Sequence, residues 1–186
     1  SQAYGFSYSD IRWPGPDPMP EPYLINPNCL DPKAGTQAEQ IAAIQSGANT
    51  WNTEGKAKFS FKYGGTTDKT LPDDGNGGRF PDGYNQIMFV QDPTFQFFID
   101  YTYVSAVVFY WRIGNELYEC DMAFNDVNPD YKWYSVGQLT MNELDIWNAA
   151  AHEFGHFLQL NDLYGVADTE KTMYGVLDYG ETKKHT

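Results

Sequence analysis

An α+β fold is predicted by three features of this 186-residue chain. Two segments carry apolar residues at helical spacing and each opens on a capping box, while five others are short runs rich in β-branched and aromatic residues. Their order is strand, helix, four strands, helix and an irregular tail, which groups the strands instead of alternating them with helices. With 41% apolar, 17% aromatic and only 20% charged residues, the chain can build a real core, and its length suits one domain over 1–186.

Each element has its own warrant. Prolines 14, 16, 18, 20, 22, 27 and 32 forbid a helix near the start and leave an extended segment with one strand at 22–26. The first helix starts at Thr36, where Thr36 and Glu39 form a capping box, and Ala38, Ile41, Ile44, Ala48 and Trp51 keep the period to an end near Gly55. A strand at 59–63 precedes a long loop, 64–84, rich in Gly, Asp and Asn. Strands follow at 86–90, 104–111 and 116–124, the last two joined by a tight hairpin at Ile113, Gly114 and Asn115. The second helix is expected to start at Thr140, with a capping box to Glu143, and to bury Leu144, Trp147, Ala150, Ala151, Phe154 and Leu158.

Charge and composition exclude several functions. Twenty-five acidic against twelve basic residues give a net charge of −13, which repels nucleic acid and anionic lipid. The most apolar stretch, 104–111, is far shorter than the roughly 20 residues a membrane helix needs. The start Ser1-Gln2-Ala3-Tyr4 has neither an initiator Met nor a signal sequence, and 14 Tyr, 17 Gly and few lysines suit a secreted protein. A processed, secreted monomer without nucleic-acid or membrane partners is expected.

The chemistry is concentrated at His152-Glu153-Phe154-Gly155-His156, an HExxH motif on the second helix. Histidines at i and i+4 project from one face one turn apart, so both imidazoles can hold one zinc ion, and Glu153 beside them is placed as general base for an attacking water. A catalytic zinc takes three protein ligands and keeps one open position. The candidates for the third are Asp162, Glu170, Glu181 and His185.

The stretch from His152 to Asp162, followed by Thr172-Met173-Tyr174-Gly175, resembles the metzincin zinc endopeptidases, whose motif runs HExxHxxGxxH or HExxHxxGxxD ahead of a methionine-containing turn. The segments 23–27, 50–52 and 119–126 resemble the bacterial matrixin-like members. The resemblance implies a twisted mixed sheet of about five strands with a backing helix and an active-site helix. It also implies Asp162 as third ligand, as in snapalysin-like enzymes, and Met173 in the turn beneath the metal. A polypeptide substrate would add a strand along an exposed sheet edge, supplied by 104–111 or 116–124, and Val176, Leu177 and Tyr179 would wall an apolar pocket for the residue after the scissile bond. Two departures stand out. Gln159 occupies the position of the family glycine, so either it adopts a left-handed conformation or the turn shifts toward Asn161. The family's last helix has no counterpart before Thr186.

Cys29 and Cys120 are expected to form a disulfide, with two buried free thiols as the alternative. Asp73, Asp74, Asn76 and Asp82 are oxygen donors of the kind calcium takes, against the plainer reading of a solvated acidic turn. Two other functional readings compete. One is a gluzincin-type peptidase with Glu170 or Glu181 as third ligand; the other is a catalytically silent zinc-containing binding module, a reading that only Gln159 favours.

Overall fold

Every strand expected from the sequence is present in the computed structural model, which describes residues 7–15, 19–54, 59–72 and 80–182. In chain order the elements are β1 (Ser7–Tyr8), β2 (Met19–Asn26), α1 (Gln37–Glu54), β3 (Phe59–Thr66), β4 (Asn85–Val90), α2 (Gln96–Asp100), β5 (Ala106–Ile113), β6 (Glu116–Asn125), β7 (Trp133–Tyr134), β8 (Leu144–Asp145), α3 (Ile146–Phe157) and β9 (Leu160–Asn161). The result is an α+β architecture around a five-stranded mixed sheet of order β3-β2-β4-β6-β5. Strands β2, β3, β4 and β6 run parallel, and β5 returns antiparallel to β6 through the turn at Gly114, whose φ of 62° is the left-handed value such a hairpin needs.

Parallel neighbours cannot be joined by a tight turn, so α1 serves as the crossover between β2 and β3. It begins as expected, with the Glu39 N–H donating to Thr36 Oγ1 at 3.3 Å and the Thr36 N–H donating to Glu39 Oε2 at 2.7 Å. Helices α1 and α3 then meet closely. A Cβ on Gly47 would stand 2.7 Å from that of Ala150, and Trp51 Nε1 donates to the Ala151 carbonyl at 2.7 Å. Between these helices and the sheet lies the main core, including Ile25, Ile44, Phe61, Ile87, Phe89, Phe124, Trp133 and Phe154.

Strand β4 is buried on both faces, which explains its continuous apolar reading. Ile87 and Phe89 face the main core, whereas Met88 and Val90 pack with Ala123, Phe95 and Phe98 on the other side. The cover of that second face is α2, an element not anticipated from the sequence because five residues are too few to show a helical period.

Two expectations need correction. Half of the box at Thr140 forms, the Thr140 N–H donating to Glu143 Oε2 at 2.7 Å, but the Glu143 N–H goes to the Thr140 carbonyl at 3.3 Å, which closes a turn and not a helix. The Leu144 N–H is drawn to the Lys132 carbonyl at 2.7 Å in the β7–β8 pairing, so α3 starts only at Ile146, where Asp145 Oδ1 caps it by accepting from the Trp147 N–H at 2.9 Å. The second correction concerns the cysteines, which are both buried and free. Register decides it: Cys29 Sγ lies 4.0 Å from Asp126 Oδ1, and Asp126 is six residues beyond Cys120, about 20 Å along an extended chain, against a limit of about 7 Å between bridged Cα atoms. Gly55, the candidate calcium ligands Asp73, Asp74 and Asn76, and His185 lie outside the described residues.

Candidate metal centre

Helix α3 is buried nearly all round, and the partly open positions His152 and His156 lie one turn apart on the side that faces a cleft. The helix ends at Phe157, and Gln159 then takes φ of 60°, the only positive φ outside glycine among the described residues. Of the two positions considered, the left-handed conformation therefore falls on Gln159 and not on Asn161. The Gln159 N–H and its side-chain Nε2 both donate to the His156 carbonyl, at 2.9 and 3.2 Å. From there the chain reverses, β9 pairs antiparallel with β1, and Asp162 is carried back to the histidines.

Three atoms converge. His152 Nε2 and His156 Nε2 are 3.1 Å apart, and they lie 3.0 and 3.3 Å from Asp162 Oδ1. His152 Nδ1 donates to the Thr172 carbonyl and His156 Nδ1 to the Leu160 carbonyl, each at 2.8 Å. A carbonyl only accepts, so in the neutral imidazoles both protons sit on Nδ1 and both Nε2 lone pairs point into the triangle. Asp162 Oδ1 is then buried without a hydrogen-bond donor, as is Glu153 Oε2. Three lone pairs meeting at that range repel unless a cation lies among them. Tetrahedral ligand atoms about 2.0–2.1 Å from zinc are about 3.3 Å apart, so the donor set fits that ion in both chemistry and spacing.

The same convergence attracts a proton as well as a metal cation. Burial would lower the His156 pKa, but a proton on its Nε2 is donated to Asp162, and this bond with the charge of Glu153 outweighs burial and raises the value to about 9. Burial would raise Asp162, yet the two imidazoles hold its carboxyl far below the usual carboxylate range. Glu153 is pushed up by burial, with His156 and His152 pulling the other way. The site thus concentrates negative charge against two imidazoles in a poorly hydrated place.

Met173 is fully buried in the turn from Lys171 to Tyr174, and the Thr172 carbonyl before it is the acceptor that orients His152. Its sulfur fills the space over Gly155, where a Cβ would stand 2.1 Å from Sδ. The turn is tied to the loop that carries Asp162 by the Leu163 N–H on the Met173 carbonyl at 2.8 Å and the Gly175 N–H on the Leu163 carbonyl at 3.0 Å.

A cleft of about 620 Å³ runs past the three residues and Glu153. Val176, Leu177 and Tyr179 line it as expected, joined by Leu144, Asn148 and Tyr131. Ser105 and the first residues of edge strand β5, Ala106 to Val108, line it as well. Of the two strands considered for an exposed edge, 116–124 is ruled out because β6 lies between β4 and β5. Among the described residues the histidines group with Asp162 and with neither Glu170 nor Glu181. A second group, Cys29, Asp31 and Asp126, is committed elsewhere: Asp126 accepts from Gln91 at 2.8 Å, Asp31 from the Trp133 N–H at 2.7 Å, and burial pushes the Cys29 thiol up and keeps it protonated.

Sequence reasoning missed the backbone acceptors at Thr172 and Leu160, which have no residue signature, and Tyr164, whose hydroxyl donates to Asp162 Oδ2 at 3.1 Å. An Asp-x-Tyr spacing beside a candidate ligand was the available signal. No family model and no curated protein matches the chain.

Proposed function

We propose that this chain is a secreted, zinc-dependent endopeptidase of metzincin type, with His152, His156 and Asp162 as zinc ligands and Glu153 as general base. The observation that carries the reading is the triangle of Nε2, Nε2 and Oδ1 atoms at 3.0–3.3 Å, with both Nδ1 protons committed to carbonyls. Bound zinc supplies a Lewis acid that polarises a carbonyl and makes water nucleophilic near neutral pH. The chain's own residues do the rest. Edge strand β5 offers unpaired backbone groups to an extended polypeptide, and the wall of Val176, Leu177 and Tyr179 receives an apolar side chain beyond the scissile bond. Glu153 Oε2 takes a proton from the attacking water as its oxygen bonds to the peptide carbon, then delivers it to the leaving nitrogen as the C–N bond breaks. Burial favours this, because a carboxylate denied water is a stronger base.

A gluzincin arrangement has less support, since Glu181 Oε2 accepts from the Asp178 N–H at 3.2 Å and Glu170 is exposed. Gln159 was the one argument for a silent module; it holds the left-handed turn, so its presence no longer favours that reading. The test is hydrolysis of a denatured protein substrate, abolished by a chelator and restored by zinc. Failure to take up zinc, or hydrolysis indifferent to chelation, would end the proposal.

A further inference from the structure

The hydroxyl of Tyr164 donates to Asp162 Oδ2 at 3.1 Å, while Oδ1 of the same carboxylate faces the imidazoles. The two oxygens are thereby given different tasks. Tyr164 is 69% exposed, and a tyrosine standing that freely would spread over several rotamers and hold nothing. Gly175 restricts it. A Cβ built on Gly175 would come within 2.6–2.7 Å of Cε1, Cζ and Oη of Tyr164, so the phenol end of the ring rests on a bare Cα. The backbone bonds between Leu163 and residues 173 and 175 hold the two loops at that spacing.

We propose that Tyr164 and Gly175 form a positioning device for the third ligand: the glycine seats the ring, and the ring's hydroxyl holds Oδ2 so that Oδ1 alone turns to the metal. This rests on the zinc reading above. Partners of ligating carboxylates set ligand orientation, and their loss costs about 10–100-fold in metal affinity. Tyr164→Phe removes one oxygen atom and keeps the ring, whereas Gly175→Ala keeps the hydroxyl and evicts the ring that carries it.

The experiment measures zinc affinity by competition with a chromophoric chelator in the full chain, its Tyr164→Phe and Gly175→Ala variants, and the double variant, with circular dichroism as the check on folding. Turnover at saturating zinc is recorded as kcat and KM. Each single substitution should weaken zinc about 10–100-fold. The double should be no weaker than the weaker single, because both remove the same hydrogen bond. If the parent takes up no zinc, the reading of the centre itself fails. If the parent binds zinc and Tyr164→Phe binds it equally well, the positioning role is overturned while the centre stands. A Tyr164→Phe defect confined to KM at unchanged zinc affinity overturns it too, since the hydroxyl would then be touching substrate. Should Gly175→Ala misfold, Tyr164→Phe alone decides.

Discussion

Gly155→Ala sets two effects of opposite sign against each other. Gly155 lies inside α3, and on helix propensity alone an alanine there would stabilise the protein by about 1 kcal/mol. The added methyl, however, would sit 2.1 Å from Met173 Sδ and 2.9 Å from Trp51 Cζ2. Neither neighbour has room to yield. Met173 is fully buried, and the Trp51 indole is held by its bond to the Ala151 carbonyl at 2.7 Å. Overpacking of this kind costs about 1–3 kcal/mol, so against the gain of about 1 kcal/mol a net loss of up to about 2 kcal/mol is expected. On the zinc reading the damage should also reach metal affinity, because a displaced Met173 shifts the Thr172 carbonyl that orients His152. Urea unfolding of the zinc-stripped protein reads the first effect and chelator competition the second. A Gly155→Ala variant more stable than the parent would refute the packing argument. Met173→Ala should destabilise by about 2–5 kcal/mol, and Gly155→Ala in that background should turn favourable as its methyl enters the vacated space.

Glu153→Gln should bind zinc as the parent does and lose about 10²–10⁴-fold in kcat, measured on a peptide substrate with metal content checked in parallel. Asp162→Ala should release zinc at chelator concentrations the parent tolerates, while Asp162→His should retain it; equal retention by Asp162→Ala would remove that residue from the ligand set. Thiol titration should find Cys29 and Cys120 unreactive in the native protein and two free thiols after unfolding without reductant, since both are buried and unbridged. The hydrogen bond from Lys33 to Glu143, at 2.7 Å, brings the Glu143 pKa from an ordinary 4.5 to about 2, so this group adds stability above pH 4.5 that is lost as pH falls toward 2. Zinc-stripped Glu143→Gln should therefore start less stable and lose less over that window.

What the sequence disclosed followed from range. The α+β class, the five strands and both main helices rest on local periodicity; the capping box at Thr36 forms both its bonds and that at Thr140 one of two. The box at Thr140 nonetheless misplaced a helix start by six residues, because a long-range claim on the Leu144 N–H overrode a local preference. The disulfide expectation failed for a similar reason: pairing two cysteines requires strand register, which composition cannot supply. At the candidate site, His152, Glu153 and His156 were legible from one helical turn and Asp162 from the family resemblance, whereas Tyr164 and Gly175 come together only when the two loops stand face to face.

The position of Asp162 is a tertiary product although its motif is local. A left-handed residue with a side chain costs about 1 kcal/mol or more relative to glycine, so Gln159 survives there only because other contacts over-determine the turn. Those contacts come from the distant start of the chain. Trp13 Nε1 donates to the Phe157 carbonyl at 2.8 Å, the Ser9 N–H donates to the Gln159 carbonyl at 3.3 Å, and β1 pairs with β9 immediately before Asp162. The far side of Asp162 is held by the turn around Met173 through Leu163. Three segments far apart in sequence, 7–13, 157–163 and 171–175, therefore fix one carboxylate oxygen against two imidazoles. On the zinc reading, binding energy gained at the centre is then folding energy for all three segments, because the converged donors do not exist in the unfolded chain. That coupling gives a physical reason for a strained glutamine to be tolerated at this turn: ligand placement is enforced from outside the turn, and the turn's own residue need only be one that can adopt positive φ.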